Sequence, residues 1–245
     1  MKSPIRLCAS IGRETIDDAL AVADSVASQV TVLEIRLDYL KVPAVSPFLN
    51  TLKTPLLFTN RPSWEGGEFT GDEDQRIGPL LEAVAENSGY VDLELLAPDE
   101  SHQRMRMALQ ESSTKLILSW HNFKDTPSRE ELVGRMALMQ DKGADIGKII
   151  TTARTYQDVM RVLQLQEVAE QLHFPLIAFC MGRAGVVSRV ATCELGGYMT
   201  YCAVSEEEAT APGQLSVYAL REIYSLMGCK RLPAPHLRPF DSAHI

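Results

Sequence analysis

The chain has 245 residues, of which 45% are hydrophobic and 23% are charged. This composition is ordinary for a folded globular protein, and the length suits one large domain or two small ones. The formal net charge of −8 argues against nucleic acid or an anionic membrane as the main partner. The net charge does not exclude a small anionic substrate, because a local cluster of arginines can make one site positive on a protein that is negative overall.

The five cysteines contain no C-x-x-C pair, and several lie in apolar, strand-like runs. We therefore expect buried free thiols in a reducing compartment. The N-terminal segment MKSPIRLCAS lacks a long apolar core, so no signal peptide is expected. No apolar run approaches the ~20 residues that a membrane helix needs. These features predict a cytoplasmic protein with neither nucleic acid nor membrane as a partner.

Short apolar runs alternate with segments of helical periodicity along the whole chain. Strands are predicted at 5–11, 30–37, 55–59, 90–95, 115–120, 143–152, 175–181 and 199–204. Helices are predicted at 14–27, 72–86, 100–110, 128–142, 156–172, 187–195 and 216–227. Pro43 and Pro47 prevent a long helix after the second strand. Ser128 and Glu131 have the spacing of a capping box, which places a helix start at Ser128.

This alternation of strands and helices predicts a parallel sheet of the α/β class. Eight such units in this length match a closed (β/α)₈ TIM barrel, a single domain spanning residues 1–228. The tail, residues 229–245, contains three prolines and is expected to be a poorly ordered end or the start of a linker. An open doubly wound sheet is the alternative, but no G-x-G-x-x-G motif follows the first strand.

The predicted sixth strand, GADIGKIITT, carries Lys148 among β-branched apolar residues. A lysine is almost never fully buried unless it is paired or functional. Burial disfavours the charged amine, and a neutral amine can attack a ketone to form a Schiff base. The competing interpretation is an edge strand, or a lysine side chain that extends to the strand end to reach water.

Polar residues occur where the predicted strands end, which is where barrels carry their chemistry. Glu34, Arg36 and Asp38 are spaced by two, so they share one face of the second strand. Similar positions on other strands and loops hold Ser10, Thr59, Arg61, Glu65, Asp92, Glu94, Ser119, His121, Arg189, Thr210 and Gln214. A structural ion pair would explain any one of them, and for Asp38, Asp92 and Glu94 that interpretation stays open. The whole set is harder to explain by packing, because each buried polar group costs desolvation energy.

Arg36, Arg61 and Arg189 are predicted to converge on one pocket. The planar guanidinium binds both oxygens of a carboxylate, so we expect a small substrate that carries a carboxylate. Lys148 together with His121 suggests an imine with a ketone, followed by proton transfer at the neighbouring carbon. The histidines lack metal-ligand spacing, so no metal is expected.

Seven motifs occur in this order: EIRLD, FTNRPSWEGGE, DLEL, SWHNF, DIGKI, MGRAGVVSR and APGQ. As an ordered set covering residues 5–227, they resemble type I 3-dehydroquinate dehydratase. The resemblance implies a (β/α)₈ barrel that converts 3-dehydroquinate to 3-dehydroshikimate in the shikimate pathway, which leads to chorismate and the aromatic amino acids. It implies that no metal or organic cofactor takes part. We also expect a homodimer.

The resemblance assigns roles residue by residue. It implies that Lys148 forms the imine and that His121 is the general base, then the acid for the departing hydroxyl. It implies that Glu65 orients His121, and the pairing is expected to raise the pKa of His121. The predicted substrate-binding residues are Ser10, Glu34, Ile35, Arg36, Arg61, Arg189, Thr210 and Gln214.

Two features depart from the family pattern. Thr210 stands where the family often has serine, but its hydroxyl should preserve binding. The loop that contains the acidic run 205–208 is longer than expected, and we interpret the run as a solvated loop face. Gly66 and Gly67 would let the loop after the third strand move.

Two other functions compete with the dehydratase. A Schiff-base aldolase on the same fold would share the buried lysine but should not need three arginines and a histidine on the next strand. The second competing function is metabolite binding by a catalytically inactive barrel. The presence of both Lys148 and His121 argues against it.

Overall fold

The computed structural model describes residues 4–208, 213–229 and 231–232. Each predicted strand is present in this part of the chain, and neighbouring strands pair in parallel. The strands are β1 Leu7–Ile11, β2 Val32–Arg36, β3 Leu56–Thr59, β4 Tyr90–Glu94, β5 Lys115–Asn122, β6 Ile146–Thr152, β7 Leu176–Met181 and β8 Thr200–Ala203.

The strands form one sheet in the order β7-β6-β5-β4-β3-β2-β1-β8. Because β1 pairs with both β2 and β8, the sheet curves around towards β7. At the seam between β7 and β8, the Tyr198 N–H donates to the Leu176 carbonyl at 2.9 Å. The predicted α/β barrel is therefore confirmed as a nearly closed one, and the open doubly wound sheet is excluded.

Helices follow the strands on the outside of the barrel. They are α1 Ile16–Val26, α2 Ser46–Thr51, α3 Glu73–Ala85, α4 Asp99–Leu109, α5 Arg129–Asp141, α6 Tyr156–Leu163, α7 Leu165–Gln171, α8 Val186–Glu194 and α9 Val217–Leu226. The predicted helix start at Ser128 is confirmed, since its side chain accepts the Glu131 N–H at 3.2 Å. None of the helices in the described ranges is both long and apolar enough to cross a bilayer.

Two helical regions differ from the prediction. The single helix predicted at 156–172 is divided at Gln164 into α6 and α7. Leu163 and Leu165 are both buried, and residues two apart point to opposite sides of a continuous helix, so the break lets both reach the core. Helix α2 was not predicted, because Pro47 was interpreted as a helix breaker; it lies in the first turn, where proline is tolerated.

Strand side chains alternate between two apolar regions. One set packs against the helices and includes Leu33, Ile35, Leu93, Leu118 and Ile149. The other set fills the barrel interior towards the N-terminal ends of the strands and includes Cys8, Val32, Leu57, Ile117, Ile146, Ile177 and Met199. Towards the C-terminal ends, inward positions become polar, and this change places the candidate site. The cysteines of the described ranges are free, and all but Cys229 are buried, as expected.

Candidate active site

A pocket opens at the C-terminal ends of the strands. Its polar lining consists of Ser10, Glu34, Arg36, Thr59, Arg61, Glu65, His121, Lys148, Arg189 and Gln214. Its apolar lining includes Phe123, Ile150, Phe179, Met181 and Tyr201. The structure thus brings together most of the residues that the sequence predicted for the site.

Lys148 lies at the base of this pocket and is only 4% exposed. Its strand pairs with β5 on one side and β7 on the other, so the edge-strand interpretation was wrong. The Lys148 Nζ atom is 3.0 Å from Asp92 Oδ2 and 3.9 Å from Glu34 Oε1, and 4.3 Å from the centre of the Tyr201 ring. Alternate strands of a barrel contribute side chains to a common layer, and these four residues come from β2, β4, β6 and β8.

Three hydroxyl groups hold the two carboxylates of this layer. Ser10 Oγ donates to Glu34 Oε2 at 2.5 Å, and Thr59 Oγ1 donates to Glu34 Oε1 at 2.8 Å. Ser119 Oγ donates to Asp92 Oδ1 at 2.5 Å. The hydroxyls therefore fix the two carboxylates in place beside the lysine.

Arg61 lies among three carboxylates. Its guanidinium is 2.8 Å from Asp92 Oδ1, 2.7 Å from Glu94 Oε1 and 3.4 Å from Glu65 Oε2. Burial alone would lower the pKa of Arg61, but these carboxylates raise it above its ordinary value. Burial alone would likewise raise the pKa of Asp92, but Arg61 and Lys148 lower it below its ordinary value. Glu94 also pairs with Arg76 of α3, which supports the structural interpretation of this carboxylate.

His121 and Glu65 form the expected pair, with Nδ1 and Oε2 2.8 Å apart. Burial raises the pKa of Glu65 to about 8, although Arg61 opposes the change. Burial, together with the charges of Arg61 and Lys148, lowers the pKa of His121 well below its ordinary value. The expected rise in the pKa of His121 was therefore wrong. The neutral imidazole that results is a group able to accept a proton.

The other two arginines have different surroundings. Arg36 makes a two-point ion pair with Asp38, at 2.8 and 2.6 Å, and lies 4.8 Å from the centre of the Tyr39 ring. Arg189, from α8, lies 4.7 Å from the centre of the Phe179 ring. Burial lowers the pKa of Arg189 to about 10. All three predicted arginines line the pocket, but each is held in its own way.

Two predicted site residues are not placed in the pocket. The side chain of Ile35 packs on the helix side of the sheet, since adjacent strand positions face opposite ways. Thr210 lies outside the described residues. The prediction missed Phe179 and Tyr201, although strand alternation could have found them, because both occupy inward positions. Within the described ranges, no group of three or more His, Cys, Asp or Glu side chains is placed to hold a metal ion.

Comparison with known proteins gives consistent matches. A model of the type I 3-dehydroquinase family matches residues 7–231. A 3-dehydroquinate dehydratase of Desulfotalea psychrophila is 50% identical over 220 residues, covering 90% of this chain and 97% of the relative. The chloroplastic bifunctional 3-dehydroquinate dehydratase/shikimate dehydrogenase of Arabidopsis thaliana is 34% identical, covering 92% of this chain and 38% of the relative.

Solved structures agree with the sequence matches. The 3-dehydroquinate dehydratase of Geobacillus kaustophilus superposes with a TM-score of 0.83 at 28% identity, covering 93% of this chain and 92% of the other. The type I enzyme of Clostridium difficile, with covalently modified comenic acid, gives a TM-score of 0.81 at 26% identity, covering 92% of this chain and 93% of the other. With a family match over nearly its whole length and the same barrel in its relatives, this chain belongs to the type I 3-dehydroquinase family.

Proposed function

We propose that the chain is a lyase that dehydrates 3-dehydroquinate to 3-dehydroshikimate through an imine on Lys148. The observation that carries this proposal is the buried Lys148 amine in the same pocket as the His121–Glu65 pair. Family membership supports the choice of substrate and its place in the shikimate pathway. The covalently modified acid in the Clostridium difficile relative supports covalent chemistry in this family.

In the first stage, the neutral amine of Lys148 attacks the ketone carbon of the substrate. One amine proton moves to the ketone oxygen as the carbinolamine forms. The carbinolamine hydroxyl then takes up a proton from solvent and leaves as water, which gives an iminium ion; the later hydrolysis of the iminium returns this proton. The iminium nitrogen is positively charged. Asp92, Glu34 and the face of the Tyr201 ring all favour a positive charge at this position, so they stabilise the iminium.

In the second stage, the iminium acidifies the neighbouring carbon, and the His121 imidazole takes the proton from it. The electron pair of the resulting enamine expels the hydroxyl on the next carbon. That hydroxyl leaves as water after receiving the proton from the His121 imidazolium. Water then hydrolyses the iminium, which releases 3-dehydroshikimate and regenerates Lys148.

We assign the substrate carboxylate to Arg189. Its guanidinium lines the pocket beside the Phe179 ring, and the planar guanidinium group can bind both oxygens of a carboxylate. Arg61 already faces three carboxylates, so its main role would be to organise Asp92 and Glu65. The substrate hydroxyls are assigned to Ser10, Glu34, Arg36, Thr210 and Gln214.

The substitution Lys148→Ala tests the imine mechanism. We expect it to abolish the formation of 3-dehydroshikimate, followed by ultraviolet absorbance, while the protein still unfolds cooperatively on heating. Substantial residual turnover in a folded variant would rule the mechanism out.

The wild-type protein separates the dehydratase from the two competing functions in the same assay. An aldolase would cleave a carbon–carbon bond of a keto substrate and would not produce 3-dehydroshikimate. An inactive barrel would bind the ligand without any change in absorbance. Formation of 3-dehydroshikimate by the wild type therefore excludes both.

We further propose that the protein acts in the cytoplasm as a homodimer of barrel domains, each spanning residues 1–228. Light scattering after size-exclusion chromatography should give twice the chain mass of 27.1 kDa. A monomer mass over a wide concentration range would contradict the dimer.

A further inference from the structure

Two short segments meet at the rim of the pocket through two neighbouring contacts. One segment is the 3₁₀ turn Ser63–Glu65, which continues into Gly66. The other is the end of β5, which carries His121 and is followed by Phe123. His121 Nδ1 lies 2.8 Å from Glu65 Oε2, and the Phe123 ring packs against Gly66. The same two segments are therefore joined once by a hydrogen bond and once by packing.

The Phe123 ring also packs against the histidine. The centres of the His121 and Phe123 rings are 6.2 Å apart and their planes are inclined by 20°, an offset stacked arrangement. Phe123 lines the pocket, yet its side chain is 47% exposed. The ring is thus held between the imidazole and the glycine, with its remaining surface towards solvent.

The turn can approach this closely because Gly66 and Gly67 have no side chains. Gly66 has φ +74°, in the left-handed region that favours glycine, and a Cβ there would lie 2.8 Å from Phe123 Cε2 and 3.0 Å from Cε1. A Cβ on Gly67 would overlap the Arg61 carbonyl group. The position of the turn, and with it the Glu65 carboxylate, therefore depends on the space at these glycines.

We propose that Phe123 and Gly66 form a clasp that positions His121 and Glu65 for proton transfer. The inference rests on the proposed function, because it takes His121 as the proton-transfer group. Phe123 would act as a positioning residue, since it fixes the plane of the imidazole while the hydrogen bond to Glu65 fixes the rotation of the ring. Neither contact alone would fix both the plane and the rotation of the imidazole.

The substitution Gly66→Ala tests the clasp. The new Cβ forces the Phe123 ring and the turn apart, so we expect kcat to fall about 10²-fold, the usual cost of a misplacement near 1 Å, with a smaller change in KM. Phe123→Ala removes the stacking partner and should lower kcat by about tenfold, a smaller displacement of the same group.

The double variant, Gly66→Ala with Phe123→Ala, should lose much less kcat than the product of the two single losses, because the ring that the new Cβ would strike is gone and only the strain of alanine at φ +74° remains. A loss equal to the product of the two single effects would overturn the proposal. So would a wild-type kcat in Gly66→Ala.

Gly228→Ala is the control for the general destabilisation that alanine causes at a positive φ, while the double variant, which keeps the strain at position 66 without the ring, is the control for local strain. Gly228 has φ +69°, close to that of Gly66, but a Cβ there would meet nothing within 4 Å. We expect this variant to keep wild-type kcat. An equal fall in kcat in both glycine variants would show that strain alone is responsible and would overturn the clasp.

The pH profile of kcat gives a readout that a general loss of folded protein would not change. The groups around the pair are Arg61, Glu94, Asp92, Lys148 and Arg36. Displacement of Glu65 changes its distance from these charges, so the profile of Gly66→Ala should shift along the pH axis. A profile that only falls in height would contradict a positioning role.

Borohydride trapping separates failure of the clasp from failure of the proposed function. The clasp does not include Lys148, so every variant should still give a reduced adduct on that residue. If the wild type gives no adduct, the imine mechanism fails. If all variants give the adduct but the loss of kcat in the double variant equals the product of the two single losses, the clasp is wrong and the imine mechanism stands.

Discussion

The two sides of the pocket each contain a buried arginine, but the groups that surround the two guanidinium groups differ. We call the side formed by Arg61 and Glu65, together with the buried carboxylates of Asp92 and Glu94 that pair with Arg61, the charged wall. The side formed by Phe179, Met181, Arg189 and Tyr201 is the apolar wall. In the charged wall, the Arg61 guanidinium is surrounded by carboxylates. In the apolar wall, the Arg189 guanidinium lies against the ring of Phe179.

The pKa of an arginine side chain therefore shifts in opposite directions on the two sides of the pocket. Carboxylates raise the pKa of Arg61 against the effect of burial, whereas burial lowers the pKa of Arg189 to about 10. The charged wall is therefore organised by ion pairs of the protein itself, and it contains Glu65, the partner of the proposed base His121. The apolar wall instead places a cation where an anionic substrate group would stabilise it.

Removing His121, the proposed base that pairs with Glu65 of the charged wall, should have the largest effect. We expect His121→Ala to lower turnover by about 10²- to 10⁴-fold, the usual contribution of general acid–base catalysis. Imine formation needs Lys148, but the following proton transfer and the hydrolysis need His121, so the adduct should accumulate. Borohydride reduction during turnover, followed by mass spectrometry, measures it. The absence of any trapped adduct in this variant would count against the role of His121.

Breaking the charged wall at its centre should mainly cost stability. Arg61→Met leaves Asp92 and Glu94 buried with fewer positive partners, so we expect a loss of about 3–5 kcal/mol in the free energy of unfolding. Urea denaturation followed by circular dichroism measures this loss. A change below about 1 kcal/mol, typical of exposed pairs, would show that the wall is not an interdependent network.

The equivalent change in the apolar wall should mainly cost substrate binding. Arg189→Met retains the bulk of the side chain but removes the charge, so we expect KM to rise about 10- to 100-fold, as for a lost hydrogen bond to a charged group. The free energy of unfolding should change much less than in Arg61→Met. A larger loss of stability than in Arg61→Met, with an unchanged KM, would reverse the comparison.

The smallest predicted effect concerns the protonation of Glu65 in the charged wall. To accept a proton at Nε2, His121 must carry hydrogen on Nδ1 and donate it to an ionised Glu65. Burial raises the pKa of Glu65 to about 8, so ionised Glu65 becomes the major form only above that pH. We therefore expect kcat to rise with pH and to level off above about 8.

Glu65→Gln is the control for this assignment, because the amide does not titrate. The rise of kcat with pH should disappear in this variant. If kcat of Glu65→Gln still rises over the same pH range, the rise belongs to the titration of another group.

The alternation of strand residues accounts for most of what could be predicted. It placed Glu34 and Arg36 on one inward face, and it put Lys148 and His121 on neighbouring strands of the same pocket. The alternation also explains why the Ile35 side chain does not line the pocket, since the residue between two inward positions faces the helices.

The partners of Arg61 could not be predicted in the same way. Its carboxylates come from β4 and from the turn after β3, and their meeting depends on barrel closure rather than on local spacing. The direction of the His121 pKa shift failed for this reason, because it depends on burial and on Arg61 and Lys148 as well as on Glu65. The contact between Phe123 and Gly66 is equally long-range.

Mass spectrometry of the protein after incubation with 3-dehydroquinate and sodium borohydride tests the imine on Lys148 directly. Trypsin does not cleave after a modified lysine, so we predict an adduct on the uncleaved peptide 143–154, GADIGKIITTAR, with Lys148 at its centre. Formation of 3-dehydroshikimate without any adduct on that peptide would contradict the imine mechanism.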